Sequence, residues 1–143
     1  MRPTRAVADT CIWIGAYSRV ERDHQKCMAF VDEVIRGRHR IVLPWPALPE
    51  IVCRLAIKFR DEKRDPREAL IVGDDLQRRT NVEWIIVDKD FSSRAAKLGV
   101  MHDLRGMDAM VAYAALQCNC ELITNDRDFL DSSIATVVRV REL

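Results

Sequence analysis

Long apolar runs are missing from this 143-residue chain. None approaches the ~20 residues that a bilayer-crossing helix needs, so no membrane span is expected. The opening MRPTRAVADT places Asp9 inside its apolar stretch, which is not the pattern of a signal peptide, and a cytoplasmic location follows as the expectation. Neither sign of charge dominates: 23 Lys and Arg stand against 22 Asp and Glu, for a net charge of +1. A generally basic nucleic-acid coat is thereby excluded, and any basic surface has to be local. Glycine is scarce, with five scattered residues and no glycine-rich loop to cradle a phosphate. The three histidines, His24, His39 and His102, show no Ser or Cys partner pattern and are read as solvated or structural. Five cysteines at irregular spacing, Cys11, Cys27, Cys53, Cys118 and Cys120, are odd in number and read as reduced core residues. Cys118 and Cys120 have no nearby histidine to complete a zinc site. Repeats, low-complexity tracts and linkers are also missing, so residues 1–143 read as one domain.

What is present is an ordinary globular composition, 48% hydrophobic and 31% charged, arranged as short apolar runs alternating with longer periodic ones. Ala6-Val7-Ala8, Ile41-Val42-Leu43, Val82–Val87, Leu122-Ile123 and Thr136–Val140 read as strands. Between them, Glu21–Arg36 ends at Gly37 and Pro46–Phe59 carries apolar residues at helical intervals. Pro66 opens a helix to about Arg79, Ser92–Leu98 stops at Gly99, and Gly106–Leu116 is an Ala-rich helix. A further helical turn begins after Asp9, with Thr10 as its expected cap. Strands separated by helices imply parallel βαβ units. The expected fold is therefore a three-layer α/β/α sandwich around a central, mostly parallel sheet.

In open α/β sheets the functional crevice lies beyond the carboxyl ends of the strands, which makes the positions of the acids informative. Asp9 ends the first strand, and Asp126 follows Leu122-Ile123 through Thr124-Asn125. Asp108 lies in the first turn of the Ala-rich helix and Glu50 near the start of the Pro-led helix. Each alone could cap a helix or make a turn. Together, in apolar neighbourhoods with no Lys or Arg adjoining Asp9, Glu50 or Asp108, they are costly unless something balances their charge. Oxygen donors without His or Cys favour Mg²⁺ or Mn²⁺.

Val7-Ala8-Asp9-Thr10, Pro49-Glu50-Ile51-Val52, Gly106-Met107-Asp108-Ala109 and Leu122-Ile123-Thr124-Asn125-Asp126-Arg127-Asp128-Phe129 together resemble a PIN domain. Their order and spacing resemble in particular the VapC ribonuclease toxins of type II toxin–antitoxin pairs, over nearly the whole chain. The resemblance implies a metal-dependent endoribonuclease with Asp9, Glu50, Asp108 and Asp126 around Mg²⁺ or Mn²⁺, leaving a 5′-phosphate and a 3′-hydroxyl. It also implies auxiliary roles for Thr10, Thr124 and Asp128, an antitoxin partner and a homodimer. One departure is visible: family members often open the glutamate's helix with Ser or Thr, where this chain has Pro44-Trp45-Pro46-Ala47-Leu48-Pro49, so Glu50 is the ligand whose pose is in question. An acidic pocket needs a basic rim to meet RNA, and Arg105 and Arg127, next to two of the acid motifs, are the candidates. Trp13 and Trp45 could stack a base, but core packing is the expected role of both.

Two other readings stand beside this one. Val82–Val87 followed by Asp88-Lys89-Asp90 and Ser92 has the Asp-x-Asp pattern of haloacid-dehalogenase-like phosphatases, yet little chain follows it and Asp9 and Asp126 would be left over. A PIN-like binding module with idle acids is opposed by the presence of all four carboxylates.

Overall fold

The structure is a computed structural model and describes residues 2–143. Five strands, β1 (Thr4–Ala8), β2 (His39–Pro44), β3 (Val82–Ile85), β4 (Glu121–Ile123) and β5 (Val140–Arg141), form one sheet in the order β3-β2-β1-β4-β5. All its pairings are parallel. Alternation along the strands sorts side chains between two cores. Ala6, Ala8, Ile41, Leu43 and Ile123 face one, and Val7, Val42 and Leu122 face the other, as a period of two requires.

Helices α1 (Thr10–Tyr17), α2 (His24–Ile35), α3 (Ala47–Asp61) and α4 (Glu68–Arg78) cover the first face through Trp13, Phe30, Ile51, Leu55, Phe59 and Leu76. Helices α5 (Lys89–His102) and α6 (Gly106–Gln117) cover the second through Phe91, Ala95, Val111 and Ala115, joined by Phe129 of the short α7 (Arg127–Leu130). The chain steps outward from β1 to β3, then returns to place β4 on the other side of β1. Because parallel crossovers keep one hand, that reversal moves the connecting helices to the opposite face. It also opens a crevice between the carboxyl ends of β1 and β4, the switch point at which such sheets bind ligands.

Four local expectations are corrected. Asp9, not Thr10, caps α1, its carboxylate accepting the Thr10 N–H. Gly99 does not stop α5, which runs on to His102 and ends at Asp103 in the left-handed conformation (φ 54°). Gly99 is instead a close-approach glycine: a Cβ there would lie 2.9 Å from the Ala109 Cβ on α6. The strand expected over Val82–Val87 ends at Ile85. The last one, expected over Thr136–Val140, is a 3-10 turn (Ser133–Thr136) followed by the two-residue β5. There Ser132 caps the turn and Val138 and Ile134 are drawn into the core, so burial overrides the β-branched pattern. No helix among the described residues is long and apolar enough to cross a membrane. The five cysteines are free: Cys27 and Cys120 are buried, while Cys53 is exposed on α3.

Candidate active site

The end of β1 delivers Asp9 into the crevice. Its backbone N–H is held by the Ile123 carbonyl of β4, and its side chain is 2% exposed. One carboxylate oxygen accepts the Thr10 N–H at 2.7 Å and the other the Thr124 hydroxyl at 2.9 Å. Thr124, itself fully buried, then accepts the Asp126 N–H at 3.0 Å. A hydroxyl has one proton, so with that proton on Asp9 it serves Asp126 as an acceptor. The Cys11 thiol lies 3.5 Å from the same hydroxyl. Burial pushes the Asp9 carboxyl above its usual range despite the donors from Cys11, Thr124 and Thr10 that oppose the shift.

Asp126 caps α7 by accepting the Asp128 N–H at 2.9 Å. With Asp108 in the first turn of α6, these two acids bring three carboxylates together, with oxygens all within 4.8 Å of one another. None of the three has a Lys, Arg or His ion-pair partner among the described residues, and neither does Asp9. Many acids elsewhere are matched, as in Asp75 with Arg79, Asp90 with Arg94 and Glu83 with Arg5, and what sets these three apart is their convergence without a cation among them. The Asp108 carboxyl is accordingly pushed up to about 6, first by burial and then by the charges of Asp9, Asp126 and Asp128, with Arg105 pulling the other way.

The crevice, of about 400 Å³, is lined by Asp9, Glu50, Asp108, Asp126 and Asp128 together with Arg54 and Arg105. Glu50 reaches it from α3 but is not one of the three converging acids. Its carboxylate pairs with Arg54, one turn further along the same helix, at 3.4 Å. The prolines account for the entry of α3: Pro46 occupies the cap position without a side-chain cap, and Pro49 lies in the first turn where its missing N–H is tolerated. A larger cleft of about 630 Å³ adjoins the crevice and shares Arg105, Asp108 and Asp128 with it. Arg127 faces this second cleft, and its guanidinium is engaged by Glu142 at 3.4 Å and Asp131 at 3.9 Å. Arg105 has no ion-pair or hydrogen-bond partner for its side chain among the described residues.

Sequence reasoning missed Arg54, although its i, i+4 spacing from Glu50 on a helix was the available signal. It also passed over Cys11, which lies two residues beyond Asp9 on the crevice wall. Trp13 is fully buried as expected, but Trp45 is not a core residue: it is 40% exposed and stacked on Trp84 with ring centroids 4.7 Å apart. The histidines make local bonds to Gly15, to Glu33 and Thr4, and to Ser133. The Asp-x-Asp at Asp88 and Asp90 is structural: Asp88 caps α5 by accepting the Phe91 N–H, and Asp90 pairs with Arg94. That removes the basis of the phosphatase reading.

The PIN domain family model matches residues 6–133. The chain belongs to the PIN domain family. Solved structures agree in fold at low identity. The VapBC2 complex of Rickettsia felis, bound to a DNA fragment from its promoter, aligns with a TM-score of 0.63 and 14% identity over 97% of this chain and 98% of that one. VapC20 of Mycobacterium tuberculosis, a sarcin–ricin loop cleaving toxin, aligns at 0.69 and 16% over 88% and 93%. FitAcB of Neisseria gonorrhoeae aligns at 0.61 and 15% over 94% and 95%. No curated protein sequence matches the chain. In this PIN domain the sheet's switch point, not any single motif, gathers the acids.

Proposed function

We propose that this PIN domain is a Mg²⁺- or Mn²⁺-dependent endoribonuclease and the toxin of a toxin–antitoxin pair. The observation that carries the reading is the group Asp108, Asp126 and Asp128, converging beside the buried Asp9 with no ion-pair partner among the described residues. A donor set of converging carboxylate oxygens fits a hard divalent cation better than zinc, which prefers nitrogen and sulfur ligands and would find only the Cys11 thiol on the crevice wall. Asp9, Asp108 and Asp126 would hold it, with Asp128 beside them and Glu50 reachable from α3. When bound, such an ion stabilises charge on the attacking and leaving oxygens of a phosphodiester and acidifies its water.

The chain's own residues do the rest. Thr124 and the Thr10 N–H fix both oxygens of Asp9, so its orientation is set before any ligand arrives. Thr124 also ties Asp126 to the same hydroxyl, which locks the spacing between β1 and β4. Arg105, at the junction of the two clefts and with no side-chain partner among the described residues, is the side chain best placed to meet a phosphate. Arg127 contributes positive potential along the adjoining cleft while it is tethered to Glu142.

RNA as substrate and an antitoxin as partner are supported by a toxin–antitoxin complex from Klebsiella pneumoniae among the structural neighbours and by VapC20, a sarcin–ricin loop cleaving toxin; the homodimer rests on the family resemblance alone. A basic antitoxin side chain could neutralise the same carboxylates in place of the ion. The deciding experiment is incubation of total bacterial RNA with the protein in Mg²⁺, Mn²⁺ and EDTA, beside Asp126→Asn. Cleavage confined to the metal-supplemented wild type is expected. Metal-independent cleavage, or full activity of the variant, would refute this assignment.

A further inference from the structure

Arg54 has no assigned role in the chemistry above, yet it is one of two cations on the wall of the carboxylate crevice, Arg105 being the other. As a helix-surface residue it could be dismissed as the partner of Glu50, in the favourable order of Glu before Arg at i, i+4. The geometry gives that pairing little hold. A charge-assisted guanidinium–carboxylate contact closes to about 2.7–2.9 Å and is often bidentate. Arg54 instead meets Glu50 through a single nitrogen, Nη1, at 3.4 Å, and the same nitrogen lies 3.5 Å from the Thr10 hydroxyl. Its Nε and Nη2 groups have no partner among the described residues, and nearly half of the side chain, 46%, is exposed. By contrast, Arg67 and Arg79 elsewhere on the surface present Nε and Nη2 together to one carboxylate. Arg54 is thus tethered at one corner, with its remaining donors unused, beside acids that would repel a bare phosphate.

We propose that Arg54 is a substrate-contacting residue, its free guanidinium edge binding a phosphate of the RNA backbone on the α3 side of the crevice while Arg105 binds from the residue preceding α6. Glu50 and Thr10 position the guanidinium. This assignment rests on the nuclease reading and deepens it: a backbone phosphate is met by two arginines from separate elements. The planar fork, and not the charge alone, is the feature in use, so lysine is an incomplete substitute.

The test compares wild type, Arg54→Met and Arg54→Lys. Fluorescence anisotropy with a fluorescein-labelled random-sequence RNA 20-mer, in Ca²⁺ and across a KCl series, reads binding. Calorimetry with Mn²⁺ alone reads the acids. Arg54→Met should weaken RNA binding by about tenfold and make the salt slope shallower by roughly 0.7, the contribution of one phosphate on a single strand. Mn²⁺ affinity should hold or tighten, because a cation leaves the crevice, and this shows that the site remains folded. Arg54→Lys should restore the slope but recover only part of the affinity. Unchanged RNA affinity and slope in Arg54→Met, with tighter Mn²⁺ binding, would overturn the proposal and leave Arg54 as the counter-ion of Glu50. A wild type that neither binds nor cleaves RNA would instead overturn the nuclease reading, and this assignment with it.

Discussion

Two turns in this protein carry the same pattern and meet different fates. Asp88-Lys89-Asp90 follows β3 and Asp126-Arg127-Asp128 follows β4. In both, the first aspartate caps the next helix, accepting the Phe91 N–H in one and the Asp128 N–H in the other. The second aspartates then diverge. Asp90 sits on a 14-residue helix that brings Arg94 one turn later to its carboxylate at 3.0 Å. Asp128 sits on a four-residue helix that ends before a fourth residue can follow, and position 132 is a serine bonded to the Ile134 N–H and the His102 carbonyl. Its charge is left to face Asp108 and Asp126. The tertiary address differs as well, since β3 is an edge strand whereas β4 lies beside β1 at the switch point. A motif acquires chemistry here from the strand it follows and from what its helix fails to neutralise.

The sharpest way to break this comparison is substitution at matched positions. Asp126→Asn should lower metal-dependent RNA cleavage by more than about 100-fold, beyond what loss of an outer-shell partner causes, while Asp90→Asn leaves cleavage rates unchanged. Equal losses at the two turns would erase the distinction. Next in size is the thermal response to metal. At about 100 times its dissociation constant, Mg²⁺ should stabilise the fold by about 2.7 kcal/mol, a rise in Tm of roughly 5–10 °C for a domain of this size. In EDTA, Asp108→Asn should melt above wild type, because one of four mutually repelling charges is gone, and it should gain little from Mg²⁺. Asp88→Asn should melt at or below wild type and keep the full Mg²⁺ response.

A smaller effect is expected with pH. The folded Asp108 carboxyl lies at about 6 against an ordinary value of 3.8. Between those values the folded state binds more protons than the unfolded chain, so metal-free stability falls as pH rises through that window. The stability advantage of Asp108→Asn over wild type in EDTA should therefore grow from pH 4 to pH 6 and level off above. Mg²⁺ affinity of the wild type should rise over the same interval, since the ion competes with the proton. Chemical denaturation of the pair at three pH values checks the sign, and an advantage that shrinks with pH would count against mutual repulsion. The smallest effect belongs to Arg94→Ala. Both side chains of that pair are more than half exposed, and its loss should move neither Tm nor the Mg²⁺ response measurably in differential scanning fluorimetry.

The parallel sandwich was legible because buried strands and amphipathic helices differ in period and in length. What escaped was decided by neighbours distant in sequence. Gly99 looks like a helix stop and is a contact with Ala109; Thr136–Val140 looks like a strand and is bent by the burial of Ile134 and Val138. At the site, the strand-end positions of Asp9 and Asp126 were readable, and so was the presence of Asp108 at a helix start. The sequence gives no sign that Asp128, treated as auxiliary, converges with Asp108 and Asp126, while Glu50 faces Arg54. Arg127 looks as free as Arg105 until the fold brings Glu142 beside it.

Gly99 has a bearing on the crevice as well. Helix α5 contributes no acid, yet the missing side chain at position 99 lets it seat against α6 at Ala109, the residue after Asp108. The distance from Asp108 to the strand-borne acids is therefore gauged from behind, by a backbone-thick spacer with no chemistry of its own. An added methyl at position 99 would act as a shim, shifting α6 by a few tenths of an ångström and the oxygen of Asp108 with it. A coordination shell would tolerate such play poorly, so under the proposed metal-dependent reading the choice of ion would be tunable from a helix that carries none of the proposed ligands.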